Sequence, residues 1–188
     1  MIADLPSSNG KALALEIGQN CIFVPCDITS PEQVSLGLDT AENTFSLPIN
    51  AAINCAGIGI AMRVLHPKKG PHPLPDFEKV MRVNVVGTFN VIRLAAERMS
   101  KNTGAADGLR GVIVNTASIA AYDGQIGQAA YAGMPYPGGG RWGVRCGHVI
   151  HITMHVVLTS HHELQLLIYT YKNIFLFFLQ PLKEPLLP

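Results

Sequence analysis

The strongest constraint on the fold is an alternation of short apolar strands and helices along residues 1–131. Strands are predicted at residues 1–5, 21–25, 49–54 and 111–116, and helices at about 10–16, 31–44 and 76–99. The run Thr29-Ser30-Pro31-Glu32 indicates a capping box, and Asp76 is expected to cap the long helix. Short apolar strands separated by helices form parallel sheets with helices on both faces. The pattern therefore predicts an α/β fold with a doubly wound parallel sheet.

The remaining residues, 132–188, do not continue this alternation. They hold only 6 of the 27 charged side chains. Residues 132–147 are crowded with glycine and proline, and five of the seven histidines follow between residues 148 and 162. We therefore divide the chain into an ordered domain, 1–131, and a divergent tail, 132–188, of uncertain structure. An altered reading of the gene, by alternative splicing or a faulty gene model, is the favoured explanation of the tail.

Composition argues against several classes of function. A net charge of +1 and a pI near 7.7 create no strong attraction to nucleic acid or anionic membranes. The apolar run at 168–179 is shorter than the roughly 20 residues of a membrane span, and it contains Lys172 and Asn173. An exposed segment with strong β propensity is the preferred interpretation. The four cysteines fit neither a CxxC metal site nor a dense disulfide framework, which favours free thiols.

Two motifs in the tail could indicate a binding site, but a non-functional explanation is preferred for each. A GxGxxG pattern at residues 138–143 spells a dinucleotide fingerprint, but prolines precede it and no strand leads into it, so a flexible linker is preferred. His148, His151 and His155 could share a helix face and bind zinc or nickel. No carboxylate neighbour completes a catalytic set there, and we predict no metal site.

Polar and small residues follow the predicted strands, where ligands of parallel sheets collect. Asp4 could accept hydrogen bonds from the ribose of NAD, or it could cap a helix. Asp27 could receive an adenine amino group, or cap its turn. Ala56 and Gly57 would let a flat cofactor approach closely, although a plain turn would use them too.

Ser118 and Tyr131 are the principal candidates for catalysis. Ser118 lies just past the fourth predicted strand, and Tyr131 follows it 13 positions later. A tyrosine can act as the acid or base in hydride transfer, while a serine hydroxyl holds the substrate oxygen. Either residue alone arises often by chance, so the prediction depends on the set.

Taken together, these residues resemble the short-chain dehydrogenase/reductase family. The matching pattern is residues 54–57, Asn84 within residues 83–87, Ser118 and Tyr131. Longer similar stretches, at residues 4–6, 68–70, 87–94 and 118–131, point to members that oxidise 3-hydroxyacyl-CoA or hydroxysteroids with NAD. The resemblance implies a Rossmann-type sheet over residues 2–131, followed by a tail foreign to the family.

The resemblance also implies a role for each matching residue. Asp4 would hold the ribose and Asp27 the adenine, while Ala56 and Gly57 would line the cofactor. In the reaction itself, Asn84 would support a water-linked proton relay and Ser118 would orient the substrate carbonyl. Gln125 would lie beside the substrate pocket, and Tyr131 would exchange the proton.

Two departures from the family pattern concern activity. The family pattern has a first strand and a GxxxGxG loop before the position of Asp4. That strand is expected to lie between the strand ending at Asp4 and the strand ending at Asn54. The family also has a lysine one helical turn after the tyrosine, where this chain has Pro135. Tyrosines without such help have a pKa of about 10, and about 0.1% of them are ionised at pH 7. Little or no activity is therefore expected.

Partners and location are implied by the resemblance alone. It implies an acyl-CoA or steroid substrate, a possible homo-oligomer through the 76–99 helix, no membrane, and nucleic acid only indirectly through a tRNA-processing complex. It also implies a mitochondrial location, although residues 1–4 carry no targeting signal and a cytoplasmic one stays open. The alternatives are a non-catalytic truncated isoform that acts through oligomerisation or scaffolding, and a chain that does not fold stably.

Overall fold

A computed structural model describes residues 1–104, 108–116, 118, 127–131 and 153–156, the last of these as backbone alone. The strands are β1 (Ile2–Asp4), β2 (Phe23–Pro25), β3 (Ala51–Asn54), β4 (Leu65–His66), β5 (Gly70–Pro71), β6 (Val112–Asn115) and β7 (Thr153–Val156). The helices are α1 (Gly10–Ile17), α2 (Pro31–Phe45), α3 (Leu74–Met81) and α4 (Thr88–Met99), with a π-helical segment, Arg82–Gly87, between the last two. Parallel strands and intervening helices confirm the α/β prediction.

The parallel strands form two separate pairs rather than one sheet. In the first pair, β1 lies beside β2 with Ile2 opposite Phe23. In the second, β3 lies beside β6 with Ala51 opposite Val112. Within the described residues, no strand pairs with the second edge of β1 or of β3.

The tail contributes one short strand, β7, which was not predicted. It pairs with β6 in antiparallel fashion, with Val156 opposite Val112. His155 therefore lies in a strand, and the helix face that would bring it together with His151 is not formed at this residue. The GxGxxG pattern at residues 138–143 and the apolar run at 168–179 lie outside the described residues.

One apolar core links the two strand pairs: α2 packs against β2, α4 packs against β3, and the two helices pack against each other. Its buried members come from both helices and from the strands or their ends: Cys26, Val34, Leu38, Ala41, Ile49, Ala95, Met99 and Ile113. The guanidinium of Arg98 on α4 joins the helices at their edge, with Nη1 2.7 Å from Oδ1 of Asp39 and 2.9 Å from Oε2 of Glu42. The helices therefore hold together strands that share no backbone pairing.

The two predicted helix caps need correction. Ser30, not Thr29, is the N-cap of α2: its Oγ accepts a hydrogen bond of 3.2 Å from the backbone N–H of Gln33. The next predicted cap, Asp76, lies inside the first turn of α3, which begins at Leu74. Proline at the first helical positions starts this helix earlier because its fixed φ already suits the helix.

Two features were not predicted from the sequence. The first is the hairpin of β4 and β5, with His66 opposite Gly70. The second is the π-helical segment, which interrupts what was expected to be one continuous helix. No helix in the described part of the chain is long and apolar enough to cross a membrane.

Candidate active site

A cavity of about 650 Å³ opens where β3 and β6 end. Parallel strands bring their carboxyl ends to the same edge, so the residues that follow them meet there. The lining residues include five of the predicted ones and one that was not singled out: Ala56, Gly57, Asn84, Ser118, Tyr131 and Gln128. The structure thus brings the predicted proton-transfer residues to one place.

Hydrogen bonds past the strand ends fix the floor of this cavity. Both the backbone N–H and the hydroxyl of Thr116 donate to the carbonyl oxygen of Asn54, each at 3.0 Å. The side chain of Asn54 in turn donates to Oδ1 of Asn115 at 2.8 Å. These bonds hold the two strand ends in register beneath Ser118.

Asn84 lies in the π-helical segment, and its side chain is hydrogen-bonded to the backbone at the rim of the cavity. Its Oδ1 accepts a bond of 2.8 Å from the backbone N–H of Ile58, and its Nδ2 donates at 2.9 Å to the carbonyl of the same residue. A π-helical turn within an α-helix is frequent at functional sites. Each polar atom of the amide keeps one further hydrogen-bonding capacity, which a water molecule could use.

Small residues make one wall of the cavity. A Cβ at Gly57 would come within 3.4 Å of Oδ1 of Asn84, which is a tight approach. A Cβ at Gly59 would lie 3.5 Å from Cδ2 of Tyr131. The absence of these side chains leaves a flat surface, which suits the face of a planar ring such as nicotinamide.

Cys55 lies in the same wall, before Ala56. The pKa of its thiol is raised because the surrounding protein displaces water, an effect that a hydrogen bond with Thr116 partly opposes. The thiol therefore stays protonated and weakly nucleophilic at neutral pH.

Gln128 is one of the lining residues that sequence reasoning missed. Its Oε1 is buried and accepts no hydrogen bond within the described part of the chain. It lies three positions before Tyr131, and this position was the only signal for it. Gln125, which was predicted beside the substrate pocket, lies outside the described residues, as does Pro135.

Asp4 and Asp27 do not line the cavity. Asp4 is the last residue of β1 and Asp27 follows β2, so both lie at the carboxyl edge of the other strand pair. Oδ1 of Asp4 accepts a bond of 2.7 Å from the backbone N–H of Leu5. Oδ1 of Asp27 accepts two bonds of 2.8 Å from Thr29, which is the turn-capping arrangement. Whether either carboxylate also binds a nucleotide stays a prediction.

Comparison with known proteins now decides the family. Residues 1–133 match the family model described as short chain dehydrogenase. The chain belongs to the short-chain dehydrogenase family. It is 49% identical over 133 residues to human 3-hydroxyacyl-CoA dehydrogenase type-2, covering 70% of this chain and 51% of that protein. The Drosophila melanogaster protein of the same name is 51% identical over 133 residues, with 52% of it covered.

A solved structure shows the same relationship. The crystal structure of 3-hydroxyacyl-CoA dehydrogenase type-2 from Mycobacterium avium has a TM-score of 0.64 and 38% identity, covering 70% of this chain and 51% of that one. The chain spans about half the length of the curated relatives that it matches. Membership of the short-chain dehydrogenase family thus accounts for the Rossmann-like fold of the described residues. Enzymes of this family generally use NAD or NADP.

The cavity of this short-chain dehydrogenase fits one end of such a cofactor better than the other. The flat wall of Ala56 and Gly57 and the adjacent hydroxyl groups suit the nicotinamide end. Within the described residues, no strand-to-helix turn carries the GxxxGxG pattern that would seat a pyrophosphate on backbone N–H groups. Groups of three or more metal-binding side chains are likewise absent from the described part.

Proposed function

We propose that this chain is an NAD-linked dehydrogenase of 3-hydroxyacyl-CoA or of hydroxysteroids, in fatty acid or steroid metabolism, with strongly reduced activity. The observation that supports it is the shared cavity of Ser118 and Tyr131, beside a wall without bulky side chains. The names of the human and Drosophila melanogaster relatives support 3-hydroxyacyl-CoA as the first substrate to test.

In this proposal the residues of the chain handle the proton. NAD, when bound, supplies the acceptor for a hydride. The Ser118 hydroxyl orients the substrate oxygen, and the Tyr131 hydroxyl exchanges the proton with it. Asn84 holds the rim through Ile58 and offers its remaining hydrogen-bonding capacity to a relay water. Asp4 favours NAD over NADP, because a carboxylate repels a 2′-phosphate.

The reduced activity follows from position 135. The family places a lysine there, whose charge favours the ionised tyrosine, and this chain has a proline. A proline side chain carries no charge and therefore cannot favour the ionised tyrosine in this way.

The test is to mix the purified chain with NAD and a 3-hydroxyacyl-CoA and to follow NADH absorbance. Slow turnover that Tyr131→Phe abolishes is expected. Turnover close to that of an intact relative would show that the activity is not reduced. Equal rates in the wild type and in Tyr131→Phe would contradict the assignment of the proton to Tyr131.

A second candidate function is non-catalytic and rests on the outer surface of residues 82–99. Val86 is 57% exposed there, although it is apolar. Phe89, which is 62% exposed, lies three positions later and also lines the cavity. Such a surface suits contact with another subunit of this fold. In this role the chain would join intact subunits, in mitochondria, and would meet RNA only through them.

Co-expression with a full-length relative tests this second role. The chain should co-purify with the relative, and Val86→Asp should abolish the association without unfolding the chain. A monomer in light scattering, alone and in the mixture, would contradict it.

A further inference from the structure

Asn90, on α4, is the one polar or charged residue that is buried within the described part of the chain, with 5% of its surface exposed. Its Nδ2 donates a hydrogen bond of 2.9 Å to the backbone carbonyl of Ile28. Its Oδ1 accepts bonds of 2.7 Å and 3.0 Å from Nη2 and Nε of Arg93. A buried amide is costly unless its polar atoms have partners. These bonds meet that cost and fix the direction of the amide.

Ile28 lies in a turn after β2, residues 27–30, which we call the aspartate turn. Oδ1 of Asp27 accepts two hydrogen bonds from Thr29, and the backbone carbonyl of Asp27 accepts one of 3.0 Å from Ser30. The other carboxylate oxygen, Oδ2, accepts no hydrogen bond from the described residues. It lies at the carboxyl edge of a parallel strand pair, where ligands of such sheets bind. Oδ2 of Asp27 can therefore accept a hydrogen bond from a ligand.

The aspartate turn packs against the same stretch of chain that lines the cavity. A Cβ at Gly87 would come within 2.7 Å of Cγ1 of Ile28, so the turn approaches this glycine closely. Three residues of the same stretch, Asn84, Thr88 and Ile92, line the cavity. The position of Asp27 relative to the cavity therefore depends on how the aspartate turn packs on residues 84–92.

Two kinds of contact hold the aspartate turn on this stretch. The apolar contact of Ile28 with Gly87 is not directional, so it leaves the rotation of the turn open. The hydrogen bond from Asn90 is directional, because its strength falls steeply when donor and acceptor are misaligned. Asn90 is therefore the contact that sets the direction of the turn and of the Asp27 carboxylate.

We propose that Asn90 is a positioning residue for the adenine end of the dinucleotide. Its bond to Ile28 holds the aspartate turn where Oδ2 of Asp27 accepts a hydrogen bond from the adenine amino group. Asn90 itself touches neither cofactor nor substrate and acts only through the turn. The inference rests on the proposed function, since it needs an adenine dinucleotide, and it adds a residue outside the cavity that controls cofactor binding.

The test measures how strongly the chain distinguishes two nucleotides that differ by one amino group. Adenosine 5′-monophosphate (AMP) and purine riboside 5′-monophosphate are titrated into the full chain, and NMR chemical shifts give the affinities. The wild type should bind AMP about tenfold more tightly, as expected for one hydrogen bond to a charged group. In Asn90→Ala this preference should largely disappear, because a displaced carboxylate loses the geometry of that bond.

Two further variants separate positioning from stability. Asn90→Asp keeps the size of the side chain and an acceptor for Arg93 but loses the donor to Ile28, so it should also lose the preference. Asn102→Ala is the matched control: Nδ2 of Asn102 donates at 2.8 Å and 2.9 Å to the carbonyls of Ile49 and Arg110, away from the aspartate turn. It should keep the preference, and thermal unfolding should show each variant folded. Loss of the preference in Asn102→Ala as well would overturn the proposal.

A double-variant comparison tests whether Asn90 acts through Asp27. Asp27→Ala should abolish the preference for AMP, and adding Asn90→Ala should then weaken AMP binding no further. A further loss in Asn90→Ala/Asp27→Ala would show that Asn90 acts by another route and would overturn the proposal.

Other outcomes separate this proposal from the proposed function. Turnover of a 3-hydroxyacyl-CoA with an unchanged KM for NAD in Asn90→Ala would support the dehydrogenase and overturn the positioning role. A preference for AMP that depends on Asn90, without any turnover, would support the role and contradict the dehydrogenase. Equal binding of the two nucleotides by the wild type, or no binding of either, would also overturn the positioning role.

Discussion

At the scale of residues, Asn84 shows that a predicted site residue can also have a specific structural role. The family pattern implied a proton relay, and the structure shows both polar atoms of its side chain bound to the backbone of Ile58. The amide therefore fixes the rim of the cavity whether or not it also holds a water.

We expect Asn84→Ala to lower the free energy of unfolding by about 1–3 kcal/mol, because it leaves both backbone groups of Ile58 without a partner. Urea denaturation measures this loss. Asn43→Ala, on the exposed side of α2, is the control and should stay within about 0.5 kcal/mol of the wild type. An equally stable Asn84→Ala would show that solvent replaces the amide without cost.

The thiol of Cys55 gives a prediction about pH. Since the surrounding protein displaces water from the exposed thiol and raises its pKa, the thiolate should form only above the pH at which an unstructured cysteine ionises. Alkylation followed by peptide mass spectrometry should therefore show a midpoint shifted to higher pH than that of a cysteine-containing peptide. A midpoint at lower pH would mean that a positive charge near Cys55 outweighs this loss of water.

Much of the cavity could be predicted because parallel strands place the residues that follow them at one edge. Ala56, Gly57 and Ser118 meet there for this reason. Gln128 could not be found this way, because its position depends on pairing with Met62 rather than on a strand end. The bonds of Asn84 were also hidden, since they depend on a π-helical turn that no periodicity in the sequence indicates.

At the scale of elements, the contact between β6 and α4 depends on a glycine. A Cβ at Gly111 would come within 2.5 Å of Sδ and 2.6 Å of Cγ of Met99, whose side chain is fully buried. The strand can approach the helix this closely only because the position lacks a side chain.

Gly111→Ala should lower the free energy of unfolding by about 1–3 kcal/mol through overpacking. Gly37→Ala is the contrasting variant: its Cβ would meet nothing nearer than 3.8 Å, inside α2. A glycine in a helix interior costs up to about 1 kcal/mol relative to alanine, so Gly37→Ala should be stabilising. Urea denaturation of both variants tests the pair, and a neutral Gly111→Ala would show that Met99 can move aside.

The elements that the sequence predicted are those long enough to show a period. α2 was expected at about 31–44 and found at Pro31–Phe45. The two strands of the β4–β5 hairpin have two residues each, too few for any alternation to be read. The start of α3 was misplaced because an acidic residue and a proline both mark helix starts, and the proline comes first.

At the scale of the whole molecule, two parallel pairs of strands share one core but no backbone pairing. Side chains from α2 and α4 connect them, together with the ion pairs of Arg98. The stability of each pair therefore depends on helix packing more than in a continuous sheet.

Amide hydrogen exchange should reveal the open edges. The N–H of Ile2 donates to the carbonyl of Ile22 and should exchange slowly. The N–H of Ala3 points to the opposite side, because neighbouring amides of a strand alternate in direction, and should exchange much faster. Equal protection of both amides would show that another strand, or another chain, covers the edge of β1.

The antiparallel strand β7 has a consequence for how this fold can change over generations. A strand at a sheet margin is accepted through its main chain, and β6 can bond with a neighbour that runs in either direction. Mutation and recombination can thus replace the segment that pairs with the outer edge of β6, while Ile113 keeps its packing in the core. A different sequence after Tyr131 could therefore add a strand to β6 without a change in the core.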